Sequence, residues 1–186
     1  MEKSLFFRVS ANEYKENDII YPKDSSFSVG EDKRRKIIED ALNAASTVGN
    51  RSDYLFLFDS LENALLYLRI NKAYSHIYLV DVEDDDMVAK CDMNFIDGMM
   101  YLTKYFNDIN DPSLMDLLNK FSKDYWNSGA TTSPCREYLF KKATVKQCIF
   151  SVDEVRRKEL KQGYDNNGRR ILELDDFKEL YKKVYL

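Results

Sequence analysis

The sequence contains a single histidine, His76, among its 186 residues. A His-based zinc site, a Ser-His-Asp triad or a Cys-His dyad would have to use it, and no GxSxG or HExxH motif surrounds it. The six glycines lie far apart, so there is no GxGxxG fingerprint and no P-loop. Because these motifs are absent, the sequence does not indicate a hydrolase or a nucleotide-binding domain of the usual types. We also expect no metal cofactor.

Cysteines and long apolar runs are also scarce. Cys91, Cys135 and Cys148 are an odd number of thiols and form no CxxC pair, which indicates reduced cysteines rather than a disulfide framework. No apolar run approaches the roughly 20 residues of a membrane span, and the first residues lack a signal-peptide pattern. We therefore expect a cytoplasmic protein that does not use a membrane.

The composition is that of a globular protein, with 44% hydrophobic and 32% charged residues. The length predicts one domain over residues 1–186, with a core at about 4–152 and a C-terminal extension at about 153–186. The net charge of -4 does not favour general nucleic-acid binding. Two basic runs, at 33–36 and 156–161, are the local exceptions, and each is also explained by a solvated helix face.

Hydrophobic periodicity predicts strands and helices in alternation, followed by a group of strands. The predicted strands cover 5–10, 54–58, 76–82, 87–91, 137–140, 145–152 and 170–174. The predicted helices cover 31–45, 61–70, 95–106 and 113–126, with later ones starting near Asp153 and at Asp175. We expect the strand at 87–91 to pair back on the strand at 76–82 as a hairpin, and the apolar tail to pack on the core. This order indicates an α+β fold with a mixed or antiparallel sheet.

The first segment with a familiar pattern is Phe6-Phe7-Arg8-Val9-Ser10, followed by Asn17-Asp18-Ile19-Ile20-Tyr21-Pro22. It resembles the opening of small bacterial ADP-ribosyltransferases of the rifamycin-modifying type, with Arg8 at their histidine position. An arginine at this position is a feature of the Arg-Ser-Glu toxins, which form another branch of the ADP-ribosyltransferase superfamily.

Two further segments strengthen the resemblance. Phe56 and Tyr67 are eleven positions apart, the spacing of two tyrosines in the poly-ADP-ribose polymerase branch. The run from Ser133 to Phe140 resembles the last motif of the superfamily, and Glu137 stands at the position of its catalytic acid. The resemblance covers about residues 4–150 and implies two small packed sheets, with surrounding helices and an NAD cleft between the sheets.

The implied activity is transfer of ADP-ribose from NAD to a macromolecule, with NAD as a substrate and no metal. Cleavage of the nicotinamide–ribose bond passes through a transition state that resembles an oxocarbenium ion. The resemblance implies that Glu137 is the carboxylate near the ribose 2′-hydroxyl, and that Phe56 and Tyr67 stack on nicotinamide. It further implies that Arg8, or secondarily Arg51, contacts a ribose hydroxyl or the diphosphate.

Ser60 completes the candidate set as a hydrogen-bonding group in the cleft, although helix capping alone explains it. Tyr67 likewise has an alternative explanation in core packing, and Glu137 in an ordinary strand position. Small members of this superfamily include toxins of toxin–antitoxin and anti-phage systems, so a neutralising protein is an expected partner. We expect an RNA or DNA acceptor in preference to protein. The alternatives are an NAD glycohydrolase on the same fold and a non-catalytic member that binds a partner protein.

Overall fold

The computed structural model describes residues 5–22, 32–71, 73–152, 161–164 and 170–173, together with residues 182 and 184. Over these residues the chain is an α+β protein, as its sequence pattern predicts. The strands are β1 (Phe6–Ser10), β2 (Ile19–Ile20), β3 (Leu55–Phe58), β4 (His76–Asp81), β5 (Met87–Asp92), β6 (Arg136–Phe140), β7 (Ala143–Ser151), β8 (Lys161–Tyr164) and β9 (Arg170–Glu173). The helices are α1 (Lys33–Ala45), α2 (Leu61–Ile70), α3 (Asn94–Tyr105) and α4 (Pro112–Trp126), with short 3-10 turns at Arg51–Asp53 and Asp84–Asp86.

Capping residues in the sequence fix several helix starts. Ser60 caps α2, since its Oγ accepts a hydrogen bond from the Asn63 amide at 3.3 Å. Asp111 caps α4 in the same way, and Pro112 occupies the first turn, where its missing N–H is not needed. No helix in the described residues has the length and apolarity needed to cross a membrane.

Seven of the described strands form one sheet in the order β2-β7-β4-β1-β3-β6-β5, and all of its pairings are antiparallel. The expected hairpin between β4 and β5 is wrong. Both edges of β4 are taken by β1 and β7, so β5 pairs with β6 at the edge of the sheet. The remaining described strands, β8 and β9, pair only with each other.

The sheet is one continuous set of strands rather than the two small sheets that the resemblance implies, but it narrows sharply between β1 and β3. Only Phe7 and Phe58 are in register there, whereas β1 follows β4 from Phe6 to Ser10. This junction separates a four-stranded part (β2-β7-β4-β1) from a three-stranded part (β3-β6-β5). The two parts remain joined at this point by Phe7 and Phe58, which are both buried beneath α2.

Side chains alternate between the two faces of the sheet. On one face, α2 covers a cluster around Phe7 and Phe58, and α1, α3 and α4 cover a second cluster that includes Cys91 and Leu139. The other face carries a third cluster, which consists of Phe6, Ile20, Leu55, Leu57, Tyr78, Val80, Tyr138, Phe140, Ala143 and Val145. From the tail, Val184 packs against the cluster beneath α2, and the packing of the other apolar tail side chains lies outside what the structure describes. The helices predicted near Asp153 and at Asp175 begin outside the described residues.

A tight turn after α4 returns the chain towards β6. Ser128 adopts a left-handed φ of 58°, and the Gly129 amide donates to the Asp124 carbonyl at 2.8 Å. A Cβ atom on Gly129 would lie only 2.6 Å from that carbonyl oxygen. The turn therefore requires glycine at this position.

We predict that Gly129→Ala destabilises the protein by about 1–3 kcal/mol, since backbone atoms must shift to admit the methyl group. Gly98→Ala is the matched control. Its Cβ would meet the ring edge of Phe121, a side chain rather than the backbone, and alanine favours the helix by roughly 1 kcal/mol. Urea unfolding of both variants measures the difference, and an equal loss of stability in both would contradict the explanation.

Candidate functional site

A buried ion network lies on the helical side of β6. The Arg51 Nη2 donates to both carboxylate oxygens of Glu137, at 3.1 and 3.2 Å, and its Nη1 donates to Glu39 at 3.3 Å. The Tyr125 hydroxyl accepts from Arg51 Nε at 2.8 Å and donates to Glu137 at 2.8 Å. All four side chains belong to residues that are at most 5% exposed. The network joins α1, the 3-10 turn at Arg51–Asp53, α4 and β6.

Burial and charge act against each other within this network. Burial alone would lower the pKa of Arg51, but Glu137, Tyr125 and Glu39 outweigh it and hold that pKa well above its ordinary value. Burial also raises the pKa of Glu39, against the opposing effect of Arg51. Two carboxylates thus share one guanidinium, and burial favours the protonated form of Glu39.

A cavity of about 770 Å³ opens beside this network, within the usual size range of small-molecule sites. Glu39 and Arg51 belong to its wall, together with Tyr67 from α2. Residues from α1, α2, α3 and the loop before β6 complete the lining. The cavity therefore presents charged groups, amides and an aromatic ring in one concave space.

Asp92 fixes the loop wall of this cavity. Its carboxylate is fully buried and accepts hydrogen bonds from the backbone amides of Asn94, Thr131 and Cys135, at 2.8 to 3.1 Å. The Asn94 side chain donates to Thr131 Oγ1 at 2.9 Å and to the Ser133 carbonyl at 2.6 Å. These bonds fasten the chain between α4 and β6 to the start of α3.

Arg8 lies at the junction of the two parts of the sheet. It is 3% exposed, and its Nη1 donates to the Phe56 carbonyl at 3.2 Å, where the β1–β3 register has already ended. Within the described part of the chain, its Nε has no hydrogen-bond partner and no carboxylate lies within ion-pair distance. Burial lowers the pKa of this arginine. An anion or a hydroxyl group is the chemical partner that such a guanidinium lacks.

The structure brings most of the predicted site residues together. The Arg51 guanidinium stacks over the Phe56 ring at 4.3 Å from its centroid and binds Glu137, while Arg8 binds the Phe56 backbone. Tyr67 is half-buried, lines the cavity and packs against Phe58 and Tyr74. Burial raises the pKa of its hydroxyl well above the ordinary value.

Of the predicted residues, Arg51 and Tyr67 line the cavity, whereas Arg8, Phe56 and Glu137 lie outside its wall. Ser60 also lies outside it, and its Oγ is used to cap α2. Sequence reasoning missed Glu39, Tyr125 and Asp92. A weak signal exists for Glu39, which adjoins the apolar stripe of α1 formed by Ile38, Ala41 and Leu42. Tyr125 also continues the apolar stripe of α4, so that its burial, though not its partners, follows from the spacing.

The cavity could hold a polar organic molecule. Among the described residues, no group of three or more His, Cys, Asp or Glu side chains is arranged to hold a metal ion. Comparison with known proteins found no matching protein-family model, curated protein or solved structure.

We predict that Glu39→Gln removes a pH-dependent loss of stability. Because the pKa of Glu39 is raised in the folded state, the folded protein retains a proton that the unfolded chain releases as the pH rises above about 4.3. The wild type therefore loses stability as the pH rises towards the folded pKa, whereas the neutral amide of the variant does not titrate. Urea unfolding between pH 4 and pH 8 should show Glu39→Gln gaining stability relative to the wild type.

Asp40→Asn on the same helix is the control, since Asp40 is exposed to solvent. We expect its stability to follow that of the wild type across the same pH range. A constant difference between Glu39→Gln and the wild type at every pH would refute the role of Glu39 as a buried titrating group.

Proposed function

We propose that this protein transfers ADP-ribose from NAD to a macromolecule, on an ADP-ribosyltransferase-like fold. The observation that carries the proposal is the meeting of Arg8, Phe56 and Glu137, from three separate motif-like segments, around the β1–β3 junction. Arg51 connects Phe56 and Glu137 and reaches the wall of the cavity. The narrow junction divides the single seven-stranded sheet into a four-stranded and a three-stranded part, but it does not separate them into two sheets.

The residues present fit NAD as a substrate. The planar fork of Arg51 offers donors to a diphosphate or ribose oxygen at the cavity wall, whereas Arg8, whose Nε has no acceptor among the described residues, is not part of that wall. The ring of Tyr67 provides a stacking surface within the cavity. NAD cleavage requires stabilisation of positive charge on the ribose, for which a buried carboxylate is well suited.

Glu137 is this carboxylate in the proposal. Both of its oxygens are bound by Arg51, and one also accepts from Tyr125. A ribose hydroxyl that binds Glu137 must therefore displace one of these donors. Replacement of the Tyr125 donor has a small energetic consequence, because the carboxylate stays paired with Arg51, whereas displacement of Arg51 would leave a buried charge without its partner.

The same geometry supports a second candidate, a non-catalytic protein that binds a partner. Glu137 is 1% exposed and is not part of the cavity wall, so the Arg51–Glu137 pair also has the form of a purely structural ion pair. Under this alternative the chain would not turn over NAD, and substitution of Glu137 would alter stability alone.

We predict that wild-type protein, incubated with adenine-labelled NAD and a lysate, attaches label to macromolecules, and that Glu137→Gln reduces this by about 100-fold or more. A reduction of this size is expected when an active site loses one preorganised electrostatic group. Digestion with nuclease or protease then identifies the class of acceptor. Glu83→Gln, which alters an exposed glutamate outside the cavity wall, is the isosteric control and should retain activity.

Thermal melting of each variant separates loss of chemistry from loss of folding. If Glu137→Gln unfolds, Tyr67→Ala tests the cavity instead, since this side chain is half-buried and lies in the wall. Label released only as free ADP-ribose would identify a glycohydrolase. Absence of NAD turnover by folded wild type would reject the enzyme and favour the partner-binding alternative.

A further inference from the structure

Two helix ends that contribute to the cavity wall carry exposed cations and exposed aromatic rings. Arg35 from the first turns of α1 and Lys104 from the end of α3 both line the cavity. The side chains discussed below are close neighbours of these two residues in sequence. We name them the basic–aromatic rim, which consists of Lys33, Arg34, Lys36, Tyr101 and Tyr105.

The basic part of the rim is the start of α1. Lys33, Arg34 and Lys36 are exposed, and the first turn of the helix contains no acidic residue. The nearest carboxylate in sequence, Asp32, is engaged as the N-cap and accepts from the Arg34 amide at 2.9 Å. A local positive surface therefore exists on a protein whose net charge is -4.

The aromatic part of the rim is on α3. Tyr101 and Tyr105 are 70% and 74% exposed, the highest values among the large hydrophobic side chains in the described residues. They are four residues apart, so they lie one above the other on the same side of the helix. Lys104 lies between them in sequence and belongs to the cavity wall. Core packing does not explain two such exposed rings.

We propose that the basic–aromatic rim binds single-stranded nucleic acid and presents it to the cavity as the acceptor. The phosphates carry the charge that complements α1, and unpaired bases offer the flat faces that stack on tyrosine. A duplex hides these faces within its own stack, and an acidic peptide uses the cations but leaves the two rings without a flat partner. The acceptor role rests on the proposed function, whereas the binding itself does not.

The first test is anisotropy of a fluorescein-labelled single-stranded RNA of mixed sequence, about 12 nucleotides long, and of its DNA counterpart, with no NAD present. Tyr101→Ala/Tyr105→Ala should weaken binding by about tenfold or more, since loss of base stacking on aromatic side chains has effects of this size. Tyr101→Phe/Tyr105→Phe retains the rings and should bind within about twofold of the wild type. Binding unaffected by removal of both rings would overturn the proposal.

The second test concerns the charges. Lys33→Ala/Lys36→Ala should weaken binding and reduce the slope of log K against log salt by about 1.4, for two phosphate contacts with a single strand. Lys120→Ala/Lys123→Ala removes two exposed lysines from α4 and is the charge-matched control. Equal weakening by both pairs would indicate a general charge effect and would overturn the rim as a site.

Combining the binding and label-transfer measurements tests this inference independently of the proposed function. The binding assay contains no NAD, so its result does not depend on turnover. Oligonucleotide binding without transfer of label would support the rim and reject the transferase. Transfer of label to protein alone, with equal affinity for a duplex or a polyglutamate peptide, would support the transferase and reject a single-stranded nucleic-acid acceptor.

Discussion

The buried contact between Arg51 and Glu137 is the interaction on which the rest of the site depends. Neither group has access to enough water to be solvated, so each is stable there only because the other is present. Removing one partner of such a pair typically costs about 3–5 kcal/mol, because the remaining charge is left buried. Arg51 is part of a short 3-10 turn and Glu137 part of a strand, and the pair therefore fixes the position of α1 and of the cavity wall relative to the sheet.

Phe56 joins this network to the junction of the sheet. Its ring lies beneath the Arg51 guanidinium, and its backbone carbonyl accepts from Arg8. Two buried guanidinium groups thus meet at one residue of β3, but their environments differ. Arg51 has two carboxylate partners, while the Nε of Arg8 has none among the residues that the structure describes. A buried donor without an acceptor costs about 1–3 kcal/mol, which an anionic or hydroxyl-bearing ligand would recover.

Much of the architecture was predictable from local patterns. The apolar run before Ser60 predicted β3, the Ser60 cap predicted the start of α2, and Asp111-Pro112 predicted the start of α4, because these signals act within a few residues. The partner of β5 was not predictable in this way. Strand order depends on which edges remain free after the central strands have paired, and β4 had no free edge.

The same distinction between local and long-range signals applies to the site. Nothing in the short motif-like segments showed that Arg51 would bind Glu137, which is 86 positions away in the sequence. A glutamate beside an apolar helix stripe, such as Glu39, gives no sign of a functional role in the sequence, because its buried partner Arg51 is brought to it only by the fold.

The arrangement of these groups also constrains how the site could work. Glu137 is bound to Arg51 but is not itself part of the cavity wall, so a molecule in the cavity meets the guanidinium and Glu39 first. Arg51 can turn towards a ligand anion only if the buried carboxylates keep other donors or take up a proton. Tyr125 supplies such a donor to Glu137, and burial raises the pKa of Glu39, which favours its protonated form. A ligand anion that draws Arg51 away must therefore compensate for the buried carboxylate of Glu137, which would keep only its hydrogen bond from Tyr125.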